Sequence, residues 1–147
     1  MSKTLSYKGS MASGATTKIC LATNKGKIGY RLKKFEAIPA APGVGSSNHI
    51  IKIYNTVQST VTSTVDFSDS DLLGLVWLRD NSDSNFAGAI ESIIFDNELF
   101  NQDIYITHAE TVGSEAASYY IELETIALTD IQSTQLTLKS LRTVASR

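Results

Sequence analysis

The chain has 147 residues, of which 42% are hydrophobic, 8% aromatic and 19% charged, with 2 Pro, 9 Gly and a formal net charge of −2. Such a composition fits one globular domain of about 100–200 residues and excludes disordered and collagen-like chains. The near-neutral balance argues against wholesale electrostatic binding to nucleic acid, and the single cysteine, Cys20, excludes an intrachain disulfide or a cysteine metal cluster.

The charge is unevenly spread. Residues 1–34 carry Lys3, Lys8, Lys18, Lys25, Lys27, Arg31, Lys33 and Lys34 and no acidic residue, a local charge of +8. Residues 35–128 hold 14 carboxylates against Lys52 and Arg79, a local charge of −12. The eight basic residues are therefore the candidate partner interface, a face suited to an acidic surface. If they drive docking, affinity should fall steeply with ionic strength.

Ser and Thr total 33 and are evenly scattered, so no linker divides the chain, and residues 1–147 read as one domain. Residues 1–14 read as an extended arm. A strand follows over 18–23, with Cys20 as a small core hydrophobe, and Asn24-Lys25-Gly26 forms a turn. Ile28, Tyr30 and Leu32 alternate with polar or small neighbours, as a half-buried strand does. At Lys33-Lys34 the phase slips, because Phe35, Ala37 and Pro39 restart the pattern one residue out, which predicts a β-bulge. Residues 39–47 read as a loop, or as an arm that reaches a neighbour.

Strands are expected over 49–57 and over the β-branched stretch 60–67. The apolar run 72–78, which contains Trp77, must be buried on both faces, and the polar stretch 79–85 forms a loop. Three further strands cover 89–95, 102–107 and 118–128. In the last, Tyr119, Ile121 and Leu123 oppose Tyr120, Glu122 and Glu124. Thr129 or Asp130 then caps a helix, with Ile131, Gln135, Leu138, Leu141 and Val144 as its packing stripe. A final strand over 134–141 is the alternative. Seven or eight short strands so spaced predict an all-β fold, a β-sandwich or jelly roll, ending in a short helix or an extra strand.

The residues offer little catalytic chemistry. The two histidines, His49 and His108, lie in no nucleophile motif, so the chain reads as a non-enzyme without cofactor. Asp66, Asp69 and Asp71, with Asp80 and Asp83 beyond, lack the Gly and Glu positions of an EF-hand. They are expected to bond backbone amides in turns, with calcium left open and no metal site assigned. Gly43-Val-Gly45 does not match a phosphate loop. Glu122 and Glu124 read as a solvated strand face. No apolar run approaches a membrane span, and the first residues lack a signal-peptide core.

Three strings carry a resemblance: Gly26-Lys-Ile-Gly-Tyr-Arg31, Phe95-Asp-Asn-Glu-Leu-Phe-Asn-Gln-Asp-Ile104, and Tyr119-Tyr-Ile-Glu-Leu-Glu124 followed by Thr134-Gln-Leu-Thr-Leu-Lys-Ser-Leu-Arg142. Over roughly residues 3–143 the chain resembles small virion structural proteins of marine tailed bacteriophages, including those of cyanobacteria. The resemblance implies a particle component made in the host cytoplasm. Its form would be a homo-oligomeric capsid decoration (cement) protein bound to the major capsid protein or other virion proteins. The alternative is a tail, neck or fibre component, acting as a connector or as a receptor- or carbohydrate-binding module through Trp77, Tyr105 or Tyr120. The run 72–78 and the loop 39–47 are the stretches expected at an interface.

Overall fold

The computed structural model describes residues 3–23, 25–41, 46–80, 89–95 and 97–145. Nine strands and one helix are present among them: β1 (Lys3–Met11), β2 (Thr16–Ile19), β3 (Ile28–Pro39), β4 (Ser47–Tyr54), β5 (Leu72–Asp80), β6 (Ala89–Ile94), β7 (Leu99–Phe100), β8 (Ile104–Glu110), β9 (Ala117–Ala127) and α1 (Asp130–Ala145). They form two antiparallel sheets, an all-β sandwich. Sheet A has the order β1-β9-β3-β7 and sheet B the order β2-β8-β4-β5-β6.

Sheet A is organised by β9, whose alternation sends Tyr119, Ile121 and Leu123 into the core and Tyr120, Glu122 and Glu124 outward. The stretch read as an arm is instead an edge strand, since Lys3–Met11 pair with β9 at all nine positions. Leu5, Tyr7 and Met11 turn toward the core, which is why the segment adds to the sheet rather than leaving it. In β3 the register against β9 shifts between Leu32 and Lys34, so the bulge falls where the phase slip places it. The extra residue, Lys33, lets Leu32 and Phe35 both point inward, each only 1% exposed.

In sheet B the run 72–78 becomes β5, between β4 and β6. A second register shift, opposite Ile53 and Tyr54, lets Leu73, Val76 and Leu78 face sheet A while Leu72 and Leu75 face away. Gly74 is required there. A Cβ at this position would stand 2.8 Å from Leu32 Cδ2 and 3.1 Å from the Ile93 carbonyl oxygen. The continuous apolar character of the run thus has two targets, the inter-sheet core and a smaller cluster on the outer face.

The expected strand over 60–67 is absent, because residues 55–71 cross the outer face of sheet B as an irregular strap. Lys52 holds it: its side chain is buried, and Nζ donates to the Thr64 carbonyl at 2.7 Å and to Thr62 Oγ1 at 3.2 Å. Phe67 of the strap meets Phe95 edge-on, with ring centroids 5.4 Å apart. Cys20 also departs from expectation: β2 ends at Ile19, and the thiol is exposed.

The C-terminal segment is the helix, not the strand. Thr129 Oγ1 accepts from the Gln132 N–H and Gln132 Oε1 accepts from the Thr129 N–H, a reciprocal cap that satisfies two otherwise orphan donors. The helix does not pack through the predicted stripe, because Ile131 is 71% and Leu138 51% exposed. It seats through small polar residues instead. Ser133 Oγ donates to the Lys25 carbonyl, and Asn101 Nδ2 bridges the Gly26 carbonyl and Thr137 Oγ1. Gly26, at φ 61°, leaves room for that bridge. The side chains of Leu141 and Val144 lie outside the described residues. Thr129→Ala should cost about 1 kcal/mol of stability, read as a lower urea midpoint with helix content otherwise retained.

Candidate docking surface

The eight basic residues do not gather into one face. Lys3 and Lys8 lie on β1, Lys18 on β2 in the other sheet, Lys25 and Lys27 in the turn before β3, and Arg31, Lys33 and Lys34 on β3. Five of them meet carboxylates: Lys18 with Asp103 at 3.4 Å, Lys27 with Asp130 at 2.9 Å, Arg31 and Lys33 with Glu124 at 3.0 and 3.8 Å, and Lys34 with Glu36 at 3.6 Å. Exposed pairs of this kind add little stability. Their consequence is electrostatic: the β9 carboxylates sit beside the β3 cations and cancel their field. Lys3, Lys8 and Lys25 have no carboxylate within 4 Å among the described residues.

The outer face of sheet B is a stronger candidate. Cross-strand register sets Ile50, Trp77 and Glu91 in one row and Lys52, Leu75 and Ile93 in the next. The strap raises Val65 and Phe67 as the facing wall, enclosing a groove of about 380 Å³. Trp77, expected inside with the rest of its run, is 36% exposed; Phe67 is 56% and Val65 43% exposed. The Trp77 indole N–H donates to Asn48 Oδ1, which fixes the ring against the sheet. Sequence reasoning missed Val65 and Phe67 as surface groups. Their signal was two large apolar residues isolated within a Thr/Ser/Asp stretch.

A second groove, of about 650 Å³, lies on the outer face of sheet A between Lys8, Glu36, Ile38, Ser118 and Tyr120. The Tyr120 hydroxyl donates to Glu122 at 2.9 Å, and that carboxylate pushes the phenol above its ordinary range. Tyr105 lies on β8, its ring centroid 6.0 Å from Lys18 Nζ. Trp77, Tyr105 and Tyr120 therefore stand on three separate strands, with Tyr120 on the opposite sheet, and form no joint platform.

Both histidines are wholly buried at one end of the sandwich. His108 Nδ1 meets the Met11 and Ala12 carbonyls at 3.0 and 3.1 Å; carbonyls only accept, so this nitrogen carries the proton. His108 Nε2 then accepts from His49 Nδ1 at 2.8 Å. That leaves His49 Nε2 unprotonated, without a hydrogen-bond partner and 3.9 Å from Glu115 Oε2. Burial, then the neighbouring His108, holds His49 below the ordinary imidazole value, against the pull of Glu115, Glu110 and Asp80. Burial pushes Glu110 up, yet the Asn48, Val112 and Gly113 N–H groups outweigh it and hold that carboxyl below the usual range.

The acidic turn plays the predicted backbone role. Asp66 accepts from Ser68 N–H and Oγ, and Asp69 accepts from the Asp71 N–H. Among the described residues no group of three or more His, Cys, Asp or Glu is placed to hold a metal ion. Asp83 and the rest of the predicted loop beyond Asp80 lie outside the described residues, as do Asn24 and residues 42–45 of the loop 39–47.

No family model and no curated protein matches the chain. Among solved structures it is similar to a chain from work describing Bacillus endospore appendages as a novel family of disulfide-linked pili, at 8% identity and a TM-score of 0.34. That match covers 88% of this chain and 92% of the other.

Proposed function

We propose that this chain is a non-enzymatic structural protein of a virion, a capsid decoration protein that seats the outer face of sheet B on the shell. The observation that carries the reading is the groove in which Val65, Phe67, Trp77 and Ile93 leave apolar surface open on a rigid sheet. Exposed apolar patches of this kind are where small globular proteins meet partners. The non-enzymatic part draws on the histidines, the usual general bases, which are buried and bonded to each other. The virion part draws on the resemblance of the three strings.

With docking placed on an apolar groove, and five of the eight N-terminal cations already paired, binding should change little with ionic strength. The test is to mix purified protein with undecorated phage shells and follow saturation by light scattering and sedimentation. Wild type should coat shells at a fixed ratio, and Trp77→Ala, at an exposed position, should bind about tenfold or more weakly. Shells that ignore the protein, or equal binding by Trp77→Ala, would overturn the reading. Capture of cell-surface glycans instead would move it to a receptor-binding role on the tail.

A further inference from the structure

The groove on sheet B has a charge pattern as well as a shape. Glu91 stands beside Trp77 in register on the edge strand β6, exposed, with no cationic side chain within 4 Å among the described residues. On the strap, Asp66 stands between Val65 and Phe67 but outside the groove lining, its carboxylate held by the Ser68 N–H and Oγ. The basic residue beneath, Lys52, is buried and spends its donors on Thr62 and Thr64, so it does not neutralise either carboxylate at the surface. Arg79 lies one row further along β5, opposite Ala89, past the Trp77–Glu91 row. The open part of the groove is thus an apolar floor beside an aromatic face and one exposed carboxylate, Glu91.

An aromatic face flanked by a carboxylate attracts a guanidinium or ammonium group by cation–π and charge-assisted contacts, while the apolar floor takes aliphatic neighbours. We propose that this groove binds an apolar segment of a protein partner bearing a basic side chain, whose cation is seated between the Trp77 ring and Glu91. The proposal rests on the reading of this face as the docking surface and adds the chemistry of what docks. Charge complementarity supports it locally, in Glu91, exposed in the groove wall with no cation within 4 Å among the described residues. A second copy offering its own sheet B face would bring carboxylate against carboxylate, so self-pairing through this groove is disfavoured.

Trp77 is the only tryptophan, so its fluorescence reports on the groove alone. The probes are the synthetic peptide acetyl-Leu-Arg-Leu-Val-amide and its counterpart with Glu in place of Arg, titrated into the full chain. The Arg peptide should give a saturable blue shift and bind about tenfold more tightly than the Glu peptide. Glu91→Lys, a change at an exposed site, should reverse that preference while circular dichroism stays unchanged. Equal binding of both peptides, no shift with either, a preference untouched by Glu91→Lys, or a shift with oligosaccharides alone would each overturn the proposal. Shell binding is measured separately. Shells that bind without this peptide preference defeat the present inference alone, whereas peptides that bind while shells do not defeat the decoration reading alone.

Discussion

Truncating Phe35 to alanine should cost about 3–5 kcal/mol of folding stability and lower the denaturant midpoint accordingly. Phe35 is 1% exposed in the inter-sheet core, so the lost ring leaves a cavity that close-packed neighbours only partly fill. Its position has a second constraint, because the Phe35 carbonyl accepts from Ser92 Oγ of β6 at 2.6 Å, which ties β3 to the far edge of sheet B. That hydrogen bond survives truncation, so the expected loss measures packing. Ile38→Ala on the same strand, at a site 53% exposed, should shift stability by no more than about 0.5 kcal/mol. Similar small losses for both variants would mean that β3 does not present Phe35 inward beyond the bulge.

Acid should destabilise the protein well before its carboxylates titrate, and His49 should be the cause. In the unfolded chain this imidazole protonates near its ordinary value of 6.5; in the folded chain burial and His108 lower its affinity for a proton. The unfolded state therefore binds more protons below that value. The stability tied to neutral His49 is complete above pH 6.5 and is lost as pH falls toward the depressed folded value. For a single proton the slope is at most about 1.4 kcal/mol per pH unit. Urea midpoints between pH 8 and 5 should fall on acidification for wild type and fall distinctly less for His49→Gln. Midpoints that stay flat or rise in acid, or equal slopes for the two proteins, would show that Glu115 and Glu110 accommodate the charge without cost.

Much of the sandwich was legible because strand alternation is a local signal. The β9 pattern and the slip at Lys33-Lys34 needed nothing beyond neighbouring residues, and both stand in the structure at the expected positions. What stayed hidden depended on partners far along the chain. The stretch 60–67 has β-branched residues, yet its conformation is decided by the buried Lys52 ammonium, which takes the Thr64 carbonyl. The basic residues look like one patch in one dimension, but Arg31 finds Glu124, 93 residues away, across a strand pair. The helix was predicted from its apolar spacing, although it is seated by Ser133 and Thr137 against a glycine turn, a contact that hydrophobic periodicity does not encode. The groove on sheet B was illegible for the same reason: its facing wall, Val65 and Phe67, is set by the path of the strap that Lys52 holds across the sheet.

The pairing of β1 with β9 has a consequence for how the molecule is made. Its hydrogen bonds link positions as far apart as Lys3 and Thr125, 122 residues along the chain. At about 5–20 residues per second, the first strand waits on the order of ten seconds before its partner has been synthesised. The pairings of β4 with β5 and β5 with β6 close far earlier, so sheet B organises first and sheet A is completed last, by the arrival of its middle strand. Such late, long-range closure makes folding slow, and the nascent chain carries β1 without its partner until residues 117–127 have been synthesised.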